Sequence, residues 1–313
     1  MTILIQYSLI FASILILIAL GGCFSEHSGV INIGLEGIMV MGAFGGALVM
    51  QVLSPSIPGI VMILVVMAVA IIFGMIYSLL LAVAAIHFRA DQTLVGTAMN
   101  MLGTAAATVA VRAINSAKDA TNVSSALNYG AQKAAFTKMI GGYELNWFIP
   151  ITLVILIAAN VVLYKTKFGL RLMACGEHPQ AADSVGINVF AMRYAGVLIS
   201  GALGGLGGIV YITTGVSEWK FEYGVAGFGF LALAVMIFGS WKPTKIALAA
   251  LLFGLFRALS NVYIAFDFLT ALNIPGYIYN MMPYVVSLIV LAFTSKNSRA
   301  PKAEGIPYDK GLR

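Results

Sequence analysis

The chain has 313 residues, of which 60% are hydrophobic and only 10% charged, with a mean hydropathy of +0.96 and a formal net charge of +6. A soluble domain carries about a quarter charged residues, so a water-covered globule is excluded. Long apolar runs recur from end to end, where a membrane β-barrel would show ten-residue segments of alternating polarity. The fold class is all-α: a polytopic helical membrane protein.

Nine helical passages are expected, at roughly 3–23, 38–53, 59–86, 94–112, 147–164, 193–215, 225–240, 246–265 and 276–294. The third exceeds the ~20 residues that cross a bilayer and is expected to tilt. The second and seventh are short and Gly-rich, which makes them candidates for one or two broken or re-entrant helices. At the start, "LGGC" (Leu20–Cys23) looks like the end of a lipoprotein signal, but no Lys or Arg precedes the apolar stretch. The segment is kept as a span.

Basic residues set the orientation. Arg89, Lys165, Lys167, Arg171, Arg193, Lys242, Lys245, Lys296, Arg299, Lys302, Lys310 and Arg313 fall on one side of this arrangement. Only Arg112, Lys118, Lys133, Lys138 and Lys220 fall on the other. The richer side is cytoplasmic by the positive-inside rule, so the net positive charge needs no nucleic acid to explain it. The N-terminus is then outside, residues 1–295 form the transmembrane domain and 296–313 a cytoplasmic basic tail. The long outward loop at 113–146 is either a solvated cover or a docking surface, and its Ala-rich middle suggests an interfacial helix.

Several chemistries leave no mark. The sequence has no GxxxxGK[ST] phosphate loop and no Gly-x-Ser-x-Gly elbow. His27, His87 and His178 are scattered, with no spacing for a metal, and Cys23 and Cys175 stand in unrelated settings. Nothing suggests a catalytic residue, a metal ligand or a resident cofactor. A run of intramembrane carboxylates of the kind used by proton-coupled carriers is missing too, so energy for transport would come from another subunit.

Three stretches carry chemistry instead. "GEHPQAADSVG" (Gly176–Gly186) interrupts two long apolar runs. Pro179 suits a first helical turn and Gly186 a helix stop, with Glu177 placed where a helix dipole favours an acid; a plain cytoplasmic loop fits the same spacing. "SEHSGVINIGLEGIMVMGAFGG" (Ser25–Gly46) sets Glu26, His27, Asn32 and Glu36 among glycines. An acid at mid-bilayer costs about 2.5–3.5 kcal/mol on insertion scales, so Glu36 must face protein, water or the interface; Phe44 lies on the same helix. "TGVSEWKFEYGVAGFGFLALAVMIFGSWKPTK" brings Trp219, Phe221 and Tyr223 to a Gly-punctuated short helix. Those rings fit an interfacial belt or a platform for a flat base. Asn100, Arg257 and Asn261 are the remaining polar residues inside later passages, with Asp267 a candidate partner for Arg257.

"GEHPQAADSVGINV" resembles the cytoplasmic coupling segment of ABC importer permeases of the ribose, branched-chain amino acid and nucleoside group, and "GVINIGLEG" resembles the motif of its nucleoside branch. The resemblance implies a non-catalytic, membrane-spanning permease subunit in the bacterial cytoplasmic (inner) membrane, its outer faces against lipid. Implied partners are ATPase subunits that bind ATP and Mg²⁺, a second permease in a heterodimer, a substrate-binding lipoprotein and a nucleoside substrate. Glu177, His178, Pro179, Ala181, Ala182, Asp183 and Gly186 would couple to the ATPase. Asn32, Glu36, Phe44, Asn100, Phe221, Tyr223 and Asn261 would line the substrate pathway. Simple sugars or branched-chain amino acids, an ion-coupled carrier and a non-transporting scaffold are the alternatives. Ribose-type relatives carry an extra N-terminal span that this chain lacks, which weakens the transfer of pathway positions.

Overall fold

A computed structural model describes residues 2–140, 143–215, 219–266, 274–294 and 300–310. Among them, eight stretches are long and apolar enough to cross a membrane. The ninth expected passage is helical as well, Gly276–Thr294.

Helix α1 (Thr2–His27) is the centre of the bundle. At 1.5 Å per residue it is about 39 Å long. It is buried on every side from Ile10 to Glu26, as expected of a helix that is apolar all round. Around it pack α5 (Phe148–Lys165), α8 (Val189–Val210), α9 (Phe228–Phe238) and α10 (Pro243–Val262). Helices α2 (Leu35–Val52) and α3 (Gly59–Ile86) complete the interior against α8. There glycines set the spacing: a β-carbon on Gly42 of α2 would collide with Gly205 of α8, and one on Gly74 of α3 with Gly201 of α8. Small residues that let backbones touch are the usual cement of membrane helices. The outer face of α3 is lipid-like, with Ile60, Leu64, Ile72, Ile76 and Leu80 exposed while Val66, Ala70, Ser78 and Leu81 are buried. Helix α4 (Gln92–Lys118) lies against α2, its start capped by Asp91, whose carboxylate accepts the Leu94 N–H.

The expected passage at 225–240 is broken. Helix α9 has 11 residues and is about 16 Å long, half of a ~30 Å hydrocarbon core. Before it come a short 3₁₀ turn (Phe221–Tyr223) and left-handed backbone at Gly224, Ala226 and Gly227 (φ 56°, 53° and 77°). Such backbone cannot continue a helix. The Trp219 indole donates to the Gly224 carbonyl at 2.6 Å and holds the break in place.

The long loop after α4 departs from the expected interfacial helix. It holds a 3₁₀ turn (Gln132–Phe136) and an antiparallel hairpin, β1 (Thr137–Ile140) and β2 (Tyr143–Asn146), with Thr137 opposite Asn146. The stretch at 165–193 is more ordered than a loop with one short helix. It forms α6 (Lys167–Glu177) and α7 (Pro179–Ser184). The Thr166 hydroxyl caps α6 by accepting the Gly169 N–H, and Gly169, Leu172, Cys175 and Gly176 make its buried stripe. Glu177 therefore closes α6 instead of opening a helix, and His178 is the N-cap residue of α7.

Residues 300–310 fold back under the bundle. The Ala303 N–H donates to the Gly176 carbonyl at 2.8 Å and the Gly305 N–H to the Gly29 carbonyl at 3.2 Å. Tyr308 is buried with Cys175, Ala182 and Val189.

Candidate functional site

Two clusters gather most of the expected residues. The first surrounds the start of α2. The chain leaves α1 at His27 and returns through residues 28–34, where Ser28, Val30 and Asn32 are fully buried. Asn100 of α4 clamps this return: its Oδ1 accepts the Gly37 N–H at 2.8 Å and its Nδ2 donates to the Ile33 carbonyl at 2.9 Å. Asn32 donates to the Ser200 hydroxyl of α8 at 2.8 Å, while its own carbonyl oxygen is buried with no partner among the described residues.

Glu36 reaches across to the broken passage. Its two carboxylate oxygens accept the N–H groups of Gly227 at 2.8 Å and Gly229 at 2.7 Å. These are free donors at the start of α9, whose own N-cap, Gly227, has no side chain to cap with. An acid there also meets the positive end of the helix dipole. Gly229 permits the approach, since a β-carbon on it would lie 2.5 Å from the Glu36 nitrogen. The acid thus has a defined duty: it ties the start of α2 to the start of the interrupted passage. Broken helices whose ends meet polar groups are tolerated in membranes where they line a cavity or are buried in protein.

Phe44 lies farther along α2, with its ring edge-on to Phe221 at 5.7 Å and to Phe73 at 6.0 Å. Phe221 is fully buried, whereas Tyr223 is 69% exposed, so the two rings do not form one platform. Asn261 is exposed on α10. Arg257, one turn earlier, stacks over the Phe228 ring at 5.2 Å; Asp267 lies outside the described residues. At the hairpin end a cavity of about 500 Å³ opens beside the break, lined by Leu127, Asn128, Tyr129, Lys133, Trp219 and Lys220. Burial lowers the Lys133 ammonium from its ordinary value, and the ammonium sits 5.5 Å from the Tyr129 ring centre.

The second cluster is α7 and its supports. Pro179 and Ala182 point inward, while Glu177, His178, Ala181 and Gly186 are exposed and Asp183 is half-buried. Gly186 has φ 83° and ends the helix as expected. Sequence reasoning missed what holds this region from below. Arg193 is 1% exposed, donates to the Ile306 carbonyl at 3.0 Å and stacks on Tyr308. Arg89 pairs with Asp309 at 2.7 Å. A lone Arg at the head of a membrane helix was the available signal.

Glu304 of the returning segment faces Glu26 at the end of α1, and its Oε2 is buried with no partner among the described residues. The Trp241 indole donates to Glu26, the Trp241 carbonyl accepts from or faces His27 at 3.1 Å, and Glu177 and Arg193 are the nearby charged groups. Burial pushes Glu304 up to about 7. A carboxyl whose value is raised by docking favours the docked form when protonated. That support is complete below the ordinary carboxylate value and is lost as pH rises through about 7. Maleimide labelling of Ala303→Cys, divided by that of the exposed Val185→Cys to remove the rise of thiolate reactivity with pH, is therefore expected to increase between about pH 6 and 8. In Glu304→Gln the normalised increase should vanish; an equal normalised increase would exclude the acid pair as its cause.

The chain matches the family described as "Branched-chain amino acid transport system / permease component" over residues 4–294. It belongs to that family. A guanosine ABC transporter permease protein of Bacillus subtilis is 38% identical, the match covering 100% of this chain and 98% of the relative. A nucleoside ABC transporter permease protein of Lactococcus lactis is 37% identical, covering 98% and 97%. A putative glucose ABC transporter permease protein of Haloferax volcanii is 30% identical, covering 79% and 74%. No solved structure matches. The chain is an ABC importer permease, a multi-pass membrane protein, and its family is one of transport subunits.

Proposed function

We propose that this permease carries nucleosides inward as one half of an ATP-driven importer. The observation that carries the reading is full-length similarity to two relatives named for guanosine and nucleoside transport. A second nucleoside permease of Lactococcus lactis is 24% identical over 78% of the chain, which supports a pair of unlike permeases. Two ATPase subunits, which bind ATP and Mg²⁺, sit beneath the pair, and a binding lipoprotein delivers substrate from outside. The α7 end is cytoplasmic, as its richer basic content favours, and the hairpin end faces out. Glu177, His178, Ala181 and Gly186 form the surface that the ATPase grips, with Pro179, Ala182 and Asp183 setting its shape.

On the substrate side, Asn32, Glu36 and Asn100 fix the return before α2 and the break before α9, around which the pathway opens. Phe44 and Phe221 give it an aromatic wall, and Tyr223 stands exposed beside the break. Asn261 has weaker support, being placed only by its helix. A sugar substrate is the second reading, favoured by the glucose-named relative. The test is uptake by the reconstituted complex with purine nucleosides, pyrimidine nucleosides and hexoses in competition. Nucleosides are expected to compete with each other and hexoses to have no effect. Hexose uptake without nucleoside uptake would replace the first reading by the second.

A further inference from the structure

The segment 301–310 is bound to three separate turns of the α7 end. To α6 it is joined by the backbone bond from Ala303 to Gly176. To the return before α2 it is joined by the bond from Gly305 to Gly29, and a β-carbon on Gly305 would lie 2.7 Å from the Ile31 side chain. To the turn between α3 and α4 it is joined by the Asp309–Arg89 ion pair. Two further groups lock it from the side: Arg193, bonded to the Ile306 carbonyl, and Phe190, whose ring meets Tyr308 edge-on at 5.4 Å.

Helix α7 itself has few anchors. It is six residues long, lies between a non-helical His178 and a left-handed Gly186, and touches α6 and α8. Its inward residue Ala182 packs in the cluster that contains Tyr308. A displacement of α7 is therefore passed to Tyr308, and along the segment to Gly29. Gly29 precedes Glu36 by seven residues on the return that carries Asn32.

We propose that residues 301–310 are a strap through which movement of α7 reaches the α1–α2 return and the α3–α4 turn, with Tyr308 and Asp309 as its positioning residues. The proposal rests on the reading of α7 as the ATPase-gripped helix, and it adds a route that bypasses the covalent path through α6 and α8. The strap works as a tie: Ala303 and Tyr308 are buried, the backbone at Ala303, Gly305 and Ile306 is hydrogen-bonded, and the segment meets different elements along its length. Because coupling requires that one element bias another, slackening the strap wastes ATP without stopping its hydrolysis.

The experiment measures ATP hydrolysed per guanosine transported by the reconstituted complex. Tyr308→Ala is expected to leave basal hydrolysis unchanged and raise that ratio about fivefold or more, with Tyr308→Phe restoring it. Asp309→Arg, at an exposed pair, is expected to raise it about two- to fivefold, and Arg89→Asp on top of it to bring the ratio back. An unchanged ratio in assembled Tyr308→Ala and Asp309→Arg complexes overturns the strap. If Tyr308→Ala does not accumulate, Asp309→Arg and its reversal decide. Ala181→Trp is run alongside: wild-type uptake there overturns the α7 reading and the strap with it, whereas lost uptake there with unaltered ratios in the tail variants overturns the strap alone.

Discussion

Glu177→Arg combined with Ala181→Trp is expected to reduce uptake at least about a hundredfold while the protein still inserts and accumulates. Both side chains are exposed, and exposed substitutions usually change stability by about 0.5 kcal/mol or less. The loss therefore falls on what approaches from outside. An indole on the outer face of a six-residue helix prevents close seating, and a reversed charge at the α6–α7 junction removes complementarity. Interface centres tolerate neither, since single contacts there cost about 2–4 kcal/mol. Ala182→Trp is the contrasting case. Ala182 is 4% exposed and packed against its cluster, so overfilling it costs about 1–3 kcal/mol in folding and lowers accumulation. Membrane-fraction immunoblots and uptake separate the two. Normal uptake by the assembled double variant would remove α7 from the coupling role.

The second large effect is expected at Glu36. Glu36→Ala removes both acceptors from Gly227 and Gly229. Hydrogen bonds to charged groups contribute about 1.5–3 kcal/mol each, so the pair is worth about 3–6 kcal/mol to the join between α2 and α9. The joined elements are also held by packing, and the bundle is expected to assemble with a displaced break. Uptake should fall at least about tenfold, since 1.4 kcal/mol is already a factor of ten. Glu36→Gln keeps one good acceptor and should be intermediate. Glu36→Asp, one methylene shorter, should resemble Ala. Wild-type uptake in Glu36→Ala would return the residue to packing alone.

Much of the architecture was legible because hydrocarbon length is a hard constraint. The passages expected at 3–23, 59–86 and 147–164 were readable from apolar runs, although α1 runs on to His27, four residues past its apolar stretch, and α7 was readable from Pro179 and Gly186, each used for its backbone geometry. Helix α6 was hidden by its brevity and its two basic residues, Lys167 and Arg171, although Gly169, Leu172, Cys175 and Gly176 recur at helical spacing. The duty of Glu36 was not legible, because the N–H groups it meets are 191 and 193 residues away. Asn100 behaves in the same way: its clamp on Gly37 exists only after α4 has packed on α2. The return of residues 300–310 left no trace in composition, since Lys, Pro and Gly read as a solvated tail. Its anchors, Arg193 and Gly29, lie far off in sequence.

The central claim is that α7 lies in the cytosol against an ATPase. The most direct measurement is cross-linking from a single introduced cysteine, Val185→Cys, in native membranes; Val185 is 76% exposed, and both native cysteines are buried. A cross-link to the ATPase subunit, with no labelling of intact cells by a membrane-impermeant maleimide, is the predicted result. Labelling from the outside, or no ATPase cross-link from a complex that transports, would contradict it.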